Sequence, residues 1–483
     1  MSREIHSNYI GGEWLNGALE PVANVNPSDT RDLIGHFAQA DSAQTEQAIA
    51  AARAAQPRWA VAGLETRQRV LAAIGAELMA RAEELGRELS REEGKPLAEG
   101  KGEVFRAGQF FQYYAAEVLR QHGELTESVR SGVEVLTARE PVGVVAVISP
   151  WNFPLATAVW KIAPALAFGN AVIWKPANQV PASAHALAEI VSRQQELPPG
   201  TFNLVMGSGA TVGERLSRGP DIDAVSFTGS LAVGRGVAAR AAADLIRVQC
   251  EMGSKNALVV LDDADPDIAV AAAVAGGYSG TGQKCTASSR LIVTPGIHDA
   301  FVDALSARLR AMRVGHALDP ATEMGPVVSE AQLAADLDWI RRGEAEGAER
   351  VCGGERLERD TPGFYLAPTL FVGTDNRMAI NREELFAPIA GVIRVTDLDE
   401  AIAVANDTDY GLTGGIVTRS LAAATRFRRE IATGCVMVNL PTAGTDYHVA
   451  FGGRKASSYG PREQGQYARE FYTVVKTAYV RAG

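Results

Sequence analysis

Short apolar segments that alternate with longer helical segments are the feature of this chain that most constrains its fold. Val142–Ile148, Ala171–Trp174 and Phe202–Met206 are rich in β-branched and aromatic residues, and helix-length segments separate them. Strands that alternate with helices of about 10 to 15 residues predict an open, largely parallel sheet. A second series of the same kind starts at Ala257–Leu261, so the fold class is α/β with two open α/β domains.

The regions on either side of this pattern differ from it in composition and in the spacing of apolar residues. Residues 41–125 are rich in Ala, Glu, Leu and Arg and predict three or four helices, with a break at Gly94-Lys95-Pro96. Val133–Thr137 alternates like an exposed strand, and Glu470–Tyr479 is typical of an extended strand. A chain of 483 residues is too long for one hydrophobic core, and we expect the α/β domains to carry a smaller β appendage.

Composition excludes several classes of function. The net charge of −10 argues against a nucleic-acid-binding protein, because such proteins carry a basic surplus. The N-terminus has no apolar signal segment, and no run reaches the roughly 18 apolar residues that a membrane span needs. The 4 cysteines and 7 histidines show no metal-ligand spacing. We therefore expect a soluble cytoplasmic protein without a metal site.

Cys285 and Glu251 lie in segments that leave their side chains available for chemistry. Glu251 follows the apolar run Leu245–Val248 and precedes Gly253, as expected for a carboxylate at the carboxyl end of a strand. Cys285 follows the small-residue stretch Tyr278–Gly282, where the backbone can approach a ligand closely. A thiolate nucleophile needs a proton acceptor, and hydrolysis of a covalent intermediate needs an activated water. The two side chains together predict covalent catalysis.

Two polar residues extend this hypothesis, although each has a plainer explanation. Asn152 stands between Pro150 and Pro154, and its amide could complete an oxyanion hole for a tetrahedral adduct. The plainer explanation is that Asn152 caps the following helix, and we favour the oxyanion role. Lys284 either stabilises the Cys285 thiolate through a nearby ammonium or simply points away. The sequence leaves both alternatives open for Lys284.

Two glycine-rich turns and one lysine predict a dinucleotide site. Gly207-Ser208-Gly209 and the turn from Gly229 to Gly234 each follow a strand and open a helix. Backbone N–H groups at a helix N-terminus are suited to hold a pyrophosphate. Neither turn matches GxGxxG, and ordinary strand-to-helix turns are the alternative explanation. Lys175 follows a strand at the position where nucleotides bind in open α/β sheets, with a solvated loop lysine as its alternative.

Several short blocks resemble those of the aldehyde dehydrogenase superfamily, in order along essentially the whole chain. They are Pro150-Trp151-Asn152-Phe153-Pro154, Trp174-Lys175-Pro176-Ala177, Phe227-Thr228-Gly229-Ser230, Glu251-Met252-Gly253-Ser254-Lys255, Gly282-Gln283-Lys284-Cys285, Glu383-Glu384-Leu385-Phe386-Ala387-Pro388 and Phe451-Gly452-Gly453-Arg454-Lys455. The resemblance implies a Rossmann-like dinucleotide-binding domain at 1–122 and 142–253 and a catalytic domain at 254–452. It also implies oligomerisation and bridging segments at 123–141 and 453–483.

The same resemblance implies a role for each matching catalytic residue. Cys285 is the nucleophile that adds to the aldehyde, and Asn152 and the Cys285 amide form the oxyanion hole. Hydride transfer then leaves a thioester, and Glu251 is the base that activates water to hydrolyse it. Lys161 and Glu463 are similar to a pair that relays protons to Glu251.

The cofactor that the resemblance implies is NAD or NADP. Lys175 is similar to the lysine that binds the adenosine ribose, and Ser230 would hold the pyrophosphate. Glu384 resembles the ligand of the nicotinamide ribose, with Phe386 packed near it. Further cofactor-binding candidates are Pro150, Trp151, Gly209, Thr228 and Gly229. Asn178 stands where the family often has an acidic residue that repels a 2′-phosphate, so we count it among these candidates and expect NADP to be tolerated.

Longer stretches at 282–290, 441–448 and 457–465 resemble bacterial 2-oxoglutarate semialdehyde (2,5-dioxopentanoate) dehydrogenases. The resemblance implies oxidation of a semialdehyde that carries a remote carboxylate, with 2-oxoglutarate semialdehyde as the favoured substrate. Succinate or glutarate semialdehyde is the alternative, because the shapes are similar. Candidate substrate contacts are Arg106, Phe110, Phe153, Lys284, Thr442, Thr445 and Phe451.

Two functions of a different kind are weaker alternatives. A non-catalytic binding protein on the same fold is disfavoured because Cys285 and Glu251 are both present. A hydrolase that uses only this pair is disfavoured by the dinucleotide turns. The expected partners are a small-molecule semialdehyde and further copies of the chain, in a homodimer or homotetramer. The resemblance implies that strand 133–138 and tail 470–480 pair across subunits.

Overall fold

The structure is a computed structural model that describes residues 5–120 and 123–481. Its α-helices are α1 (Ser42–Ala60), α2 (Leu64–Ala80), α3 (Ala82–Glu93), α4 (Leu97–Glu117), α5 (Ala156–Ala167), α6 (Pro181–Ser192), α7 (Glu214–Leu216), α8 (Leu231–Ala243), α9 (Pro266–Gly277), α10 (His298–Arg310), α11 (Glu330–Ala345), α12 (Ala379–Arg382), α13 (Leu398–Asn406), α14 (Leu421–Glu430) and α15 (Arg469–Tyr472).

The strands fall into two large sheets and two small ones. They are β1 (Ile5–His6), β2 (Asn8–Ile10), β3 (Glu13–Leu15), β4 (Leu19–Val25), β5 (Leu33–Gln39), β6 (Glu124–Glu127), β7 (Val133–Pro141), β8 (Val144–Ile148), β9 (Ala171–Lys175), β10 (Phe202–Leu204), β11 (Ala224–Thr228), β12 (Arg247–Glu251), β13 (Asn256–Val260), β14 (Ser288–Val293), β15 (Glu349–Cys352), β16 (Thr369–Thr374), β17 (Ile389–Arg394), β18 (Thr413–Val417), β19 (Cys435–Val438), β20 (Ser458–Tyr459) and β21 (Thr473–Arg481).

The first large sheet has the strand order β20-β12-β11-β8-β9-β10-β2-β3. Its strands from β12 to β10 are parallel, and β20 and β2 add antiparallel edges. Val145 and Val147 of β8 pack in the core that includes α5, whereas Val144 and Ala146 pack in the core that includes α1. Because helices cover both faces, β8 is apolar at every position. The sheet grows outward from β8 on both sides, because β9 pairs with one edge of β8 and β11 with the other.

The second large sheet has the order β15-β16-β17-β14-β13-β18-β19 and is parallel except for β15. Alternate residues of β13 face opposite cores, since Leu258 and Val260 pack in one and Ala257 and Val259 in the other. The chain passes from β12 of the first sheet to β13 of the second through residues 252–255. These two open α/β sheets confirm the predicted fold class.

The appendage is a small sheet with the order β21-β7-β6. The antiparallel register of β21 on β7 runs from Thr473 opposite Pro141 to Arg481 opposite Val133, within one chain. Within one chain these two segments therefore pair with each other, and pairing of this sheet across subunits stays a prediction. The N–H of Val142 also donates to the carbonyl of Tyr472 (3.2 Å), which extends the contact between the two segments to the start of β8.

Other differences from the sequence-based expectation are local. The helices predicted for residues 41–125 are α1–α4, between Ser42 and Glu117, with the break between α3 and α4. The first residues of the predicted tail strand form α15 instead. A small sheet of order β1-β5-β4, which the sequence did not suggest, covers the N-terminal region. Within residues 5–120 and 123–481, the helices all lack the length and apolar character needed to cross a membrane.

Candidate active site

A cavity of about 1060 Å³ lies at the carboxyl ends of β8, β9 and β11. This is the edge at which the strand order reverses, where open α/β sheets bind ligands. The catalytic candidates Asn152, Glu251 and Cys285 line the cavity. Its wall also contains every predicted cofactor contact, namely Pro150, Trp151, Lys175, Asn178, Gly209, Thr228, Gly229, Ser230, Glu384 and Phe386.

Asn152 follows β8 and turns its side chain toward the loop that carries Cys285. Its Nδ2 donates to the carbonyl of Gln283 at 2.9 Å. Helix α5 begins at Ala156 without a side-chain cap, so the helix-capping alternative for Asn152 is not realised. Because one amide hydrogen is used on Gln283, the other is available for a ligand oxygen.

A buried ion pair holds the backbone around Asn152. Lys95 Nζ donates to Glu103 at 2.6 Å and to the carbonyl of Asn152 at 2.7 Å. The second carboxylate oxygen of Glu103 accepts from the N–H groups of Leu155 (3.0 Å) and Ala156 (3.1 Å) at the start of α5. Lys95 and Glu103 are each at most 5% exposed. The pair thus fixes the loop on both sides of the Asn152 amide.

Cys285 is half-buried and follows a tight turn at Ser279–Gly282. Gly282 has φ +66°, and a Cβ on it would lie 2.2 Å from the carbonyl of Ala387, so glycine is required there. Asn256 Nδ2 donates to the Cys285 carbonyl at 2.8 Å. Burial raises the pKa of the Cys285 thiol, and the charges of Glu384 and Glu251 raise it further. The resting group is therefore a thiol that must lose its proton to react.

Lys284 is anchored away from the thiol. Its ammonium donates to the carbonyl of Ala275 at 3.1 Å and to the Ser279 hydroxyl. Burial lowers the pKa of Lys284 to about 8. Of the two alternatives that the sequence left open, these contacts match the one in which Lys284 points away from Cys285, although Lys284 still lines the cavity.

Glu251 ends β12 with its carboxylate buried beside the cavity. Its Oε2 accepts a hydrogen bond of 2.5 Å from the Ser458 hydroxyl. Its Oε1 is buried and has no hydrogen-bond partner in the described part of the chain. Burial raises the pKa of Glu251 to about 8, and the charge of Glu463 acts in the same direction. A carboxylate with such a pKa can accept a proton from water near neutral pH.

Lys161 and Glu463 form a buried ion pair behind the cavity wall. Lys161 Nζ also donates to the Ser226 hydroxyl at 3.0 Å, and that hydroxyl lies 3.2 Å from Glu463. The backbone of Glu463 pairs with Phe451, which does line the cavity. The pair therefore acts on the Glu251 carboxylate through its charges.

The cofactor half of the cavity is formed by strand ends and helix N-termini. Ser230 caps α8, where its hydroxyl accepts from the N–H of Val233 at 3.4 Å. Thr228 Oγ1 is buried without a partner in residues 5–120 and 123–481, and no atom lies within 4 Å of a Cβ placed on Gly209. These unfilled positions at helix N-termini fit a dinucleotide pyrophosphate. Burial lowers the pKa of Lys175, at the end of β9, to about 8.

Glu384 and Phe386 close the opposite wall. Glu384 Oε1 accepts from the N–H of Ser254 at 2.9 Å, and burial raises the pKa of Glu384 to about 7. The Phe386 ring meets Trp151 edge-to-face, with 5.3 Å between the ring centroids. Gln332, which the sequence did not single out, lines the cavity with them. Glu384 and Gln332 thus present polar groups to any ligand between them.

The substrate candidates divide into two groups. Arg106, Phe110, Phe153, Lys284, Thr445 and Phe451 line the cavity. The Arg106 guanidinium lies 5.3 Å from the centre of the Tyr447 ring, and no described carboxylate forms an ion pair with it. Thr442, in contrast, is buried behind the wall, where its hydroxyl donates to the Thr286 carbonyl at 2.7 Å. Thr442 supports the loop and does not face the cavity.

Comparison with known proteins accounts for this arrangement. The family model described as the Aldehyde dehydrogenase family matches residues 14–478. This chain belongs to that family. The alpha-ketoglutaric semialdehyde dehydrogenase of Bacillus subtilis (strain 168) is 39% identical to this aldehyde dehydrogenase over 479 residues, 98% of each protein. The alpha-ketoglutarate semialdehyde dehydrogenase of Haloferax volcanii is 40% identical over 476 residues, again 98% of each.

Solved structures show the same fold as this aldehyde dehydrogenase. A crystal structure of betaine aldehyde dehydrogenase from Staphylococcus aureus in complex with NAD+ has a TM-score of 0.96 and 34% sequence identity. The match covers 99% of this chain and 95% of that one. The aldehyde dehydrogenase fold of the present chain therefore extends over both large sheets and the appendage.

Several groups around the site of this aldehyde dehydrogenase were missed from the sequence. Lys95 was assigned only to a break between helices, and Glu103 and Ser458 were given no role. Their contacts join segments that are 57 residues (Lys95 and Asn152) and 207 residues (Glu251 and Ser458) apart. No local signal marked Lys95 as buried, because charged side chains are buried only when they are paired and its partners Glu103 and Asn152 are 8 and 57 residues away.

Proposed function

We propose that this aldehyde dehydrogenase oxidises 2-oxoglutarate semialdehyde (2,5-dioxopentanoate) to 2-oxoglutarate with NAD or NADP. The observation that carries the proposal is the position of Arg106, a cation on the wall of the cavity that also holds Cys285. A semialdehyde of this kind has a carboxylate remote from its aldehyde, and Arg106 offers that carboxylate a partner. The names of the relatives in B. subtilis and H. volcanii support the same substrate.

In the first half of the proposed reaction, the Cys285 thiol releases its proton to solvent water, and Sγ forms a bond to the aldehyde carbon as the carbonyl π electrons move to the oxygen. The oxygen becomes an oxyanion, which accepts hydrogen bonds from the Asn152 side chain and the Cys285 N–H. When bound, NAD or NADP supplies the acceptor for the hydride that leaves this carbon. The carbon is thereby oxidised, and the chain carries a thioester on Cys285.

In the second half, Glu251 accepts a proton from a water molecule through its unpartnered Oε1. The water oxygen bonds to the thioester carbon, the C–S bond breaks, and the Cys285 thiolate leaves with the electron pair. We assign the Lys161–Glu463 pair to the onward transfer of the proton from Glu251, because the charge of Glu463 already acts on that carboxylate.

The cofactor is proposed to lie along the wall between Ser230 and Glu384. Ser230 and the α8 N-terminus would hold the pyrophosphate, Lys175 the adenosine ribose, and Glu384 the nicotinamide ribose. The complex of the S. aureus relative with NAD+ supports the proposed cofactor. Asn178, in place of a carboxylate, and Arg240 also line the cavity, and neither repels a 2′-phosphate. We therefore propose that NADP is accepted as well as NAD.

We further propose a division of labour between the parts of the chain. Residues 1–122 and 142–253 form the cofactor domain, residues 254–452 the catalytic domain, and 123–141 with 453–483 the segments that join subunits. Exposed apolar side chains on β21, such as Val475 (57%) and Tyr479 (61%), support a homodimer or homotetramer. Native mass spectrometry tests this, and a monomer at micromolar concentration would contradict it.

The substrate proposal is tested by kcat/KM for 2-oxoglutarate, succinate and glutarate semialdehydes, pentanal and betaine aldehyde, each with NAD and NADP. The highest value is expected for 2-oxoglutarate semialdehyde. Succinate and glutarate semialdehydes are the second candidates, because each also carries a remote carboxylate for Arg106. Faster oxidation of pentanal or betaine aldehyde would refute the substrate class.

Matched variants separate the role of Arg106 from a general effect of charge. Arg106→Gln should raise KM for carboxylated substrates roughly tenfold and leave pentanal unchanged, since a charge-assisted hydrogen bond is lost. Lys101→Met removes a positive charge on the same helix, where Lys101 pairs with Glu83 outside the cavity at 2.5 Å. Equal effects of both variants on all substrates would remove the support that Arg106 gives.

A further inference from the structure

The stretch 457–465 contains a serine that touches the proposed base. In the antiparallel pairing of β20 with β12, Ser458 lies directly opposite Glu251. Residues directly opposite one another in such a pair have neighbouring side chains. The main chain is held in this register because the N–H of Met252 donates to the Ser457 carbonyl at 2.8 Å. The contact between Ser458 and Glu251 is therefore imposed by the sheet.

Ser458 Oγ takes part in two hydrogen bonds. It accepts one of 2.6 Å from the N–H of Gly453. Because an ionised carboxylate can only accept, the hydroxyl proton is directed to Glu251 Oε2, at 2.5 Å. Ser458 thus donates to the ionised carboxylate.

The other carboxylate oxygen is left free by a glycine. Gly452 has φ +145°, and a Cβ there would lie 2.9 Å from Glu251 Oε1. Oε1 is buried and has no hydrogen-bond partner in the part of the chain that the structure describes. Oε2 is therefore anchored by Ser458, and Oε1 is left without a hydrogen-bond partner among the described residues.

We infer that Ser458 is a positioning residue that anchors Oε2 of Glu251 and so reserves Oε1 to take the proton from the hydrolytic water. The inference rests on the proposed function and names a residue that acts through the base. The hydroxyl stabilises the charged form of Glu251, against burial and the charge of Glu463, both of which raise its pKa. Ser458 therefore keeps the base ionised at lower pH than the site would otherwise allow.

Besides the Ser458 hydroxyl, several titratable groups surround Glu251. They are Glu463, Lys161, Arg462, Cys250, Cys285 and Cys435. Glu463 opposes ionisation of Glu251, whereas Lys161 and Arg462 favour it. All of them remain when Ser458 is replaced, so a shift in a Ser458 variant reports the missing hydroxyl.

The test follows thioester loss from Cys285 by rapid quenching and intact mass, at pH values from about 6 to 10. Ser458→Ala should move the midpoint of this rate upward by about one pH unit, since a hydrogen bond to a charged group is lost. The rate and amplitude of the preceding NAD(P)H burst should stay unchanged. Ser458→Thr keeps the hydroxyl and should restore the midpoint of the original chain.

Two further variants make the outcome decisive. Ser457→Ala removes the neighbouring hydroxyl, which donates to the Gly253 carbonyl at 2.9 Å, and should lower Tm without moving the midpoint. If Ser458→Ala does not fold, Ser458→Cys keeps the volume with a weaker donor and should shift the midpoint in the same direction. An unchanged midpoint in Ser458→Ala, or in Ser458→Cys where Ser458→Ala does not fold, overturns the inference, and so does an equal shift in Ser457→Ala. Absence of any NAD(P)H burst from the original chain would instead refute the proposed function.

Discussion

The catalytic side of the cavity and its substrate mouth are held in different ways. Asn152 is fixed by a buried hydrogen bond to Gln283, and Glu251 by a partly buried one to Ser458, each from another segment. At the mouth, residues 441–448 are partly exposed, and Arg106 is held against Tyr447 by a cation–aromatic contact. The chemistry thus depends on hydrogen bonds between segments of the interior, whereas the choice of aldehyde depends on Arg106 of α4 and on a more exposed loop.

The largest effect should come from the nucleophile itself. Cys285→Ala should lower kcat by at least roughly a thousandfold, because no thioester can form without the sulfur. Binding of NAD or NADP, measured by calorimetry, should persist, since the cofactor wall is intact. Substantial turnover by this variant would mean that the catalytic side does not work through Cys285.

A smaller but still large effect is expected from the buried pair behind Asn152. Lys95→Met should lower kcat roughly a hundredfold with little change in KM for the cofactor, because the Asn152 amide loses its fixed position. Breaking a buried ion pair should also reduce the free energy of unfolding by roughly 3 to 5 kcal/mol, measured in urea.

Two further variants test whether Lys95 affects kcat only by fixing the position of the Asn152 amide. Lys95→Arg keeps the charge and should recover part of kcat. Glu103→Gln keeps an acceptor for the N–H groups of Leu155 and Ala156 and should be milder than Lys95→Met. If Lys95→Met loses stability but keeps its kcat at a temperature where it is folded, the network is structural and the contrast with the mouth weakens.

The pH dependence gives a milder test of the same contrast. Glu251 must be ionised to accept a proton, and its pKa is raised to about 8, so thioester hydrolysis should rise with pH through that region. Below it the rate should fall about tenfold per pH unit. Because Glu251 takes no part in holding the remote carboxylate, the ratio of kcat/KM between 2-oxoglutarate semialdehyde and pentanal should remain constant over the same pH range. A ratio that titrates with the hydrolysis rate would contradict separate control.

Much of the fold and the catalytic side follows from the sequence, since their signals are local. Buried strand β8 is apolar at every position and β9 at every position except Lys175, and Cys285, Glu251 and Asn152 lie in short blocks that match a family. The residues of the cofactor wall can be predicted from the sequence equally well, because strand-to-helix turns place their glycines at a shared sheet edge.

The rest depends on contacts between distant segments, which local patterns do not contain. The direction of the Lys284 side chain could not be predicted from the sequence, because it depends on the Ala275 carbonyl of helix α9, to which the ammonium donates. Thr442 appeared to be a substrate contact, yet its hydroxyl is used inside the protein by Thr286. The N-terminal sheet was missed because β1 has only two residues and β4 carries irregular register with β5.

The central claim is that Cys285 and Glu251 divide the reaction into acylation and hydrolysis. Intact mass spectrometry of Glu251→Gln after rapid mixing with 2-oxoglutarate semialdehyde and cofactor tests it most directly. We expect one equivalent of NAD(P)H and a persistent acyl adduct. The adduct should map to Cys285 and should be absent from the Cys285→Ala chain. Turnover at the original rate without any adduct would contradict the claim.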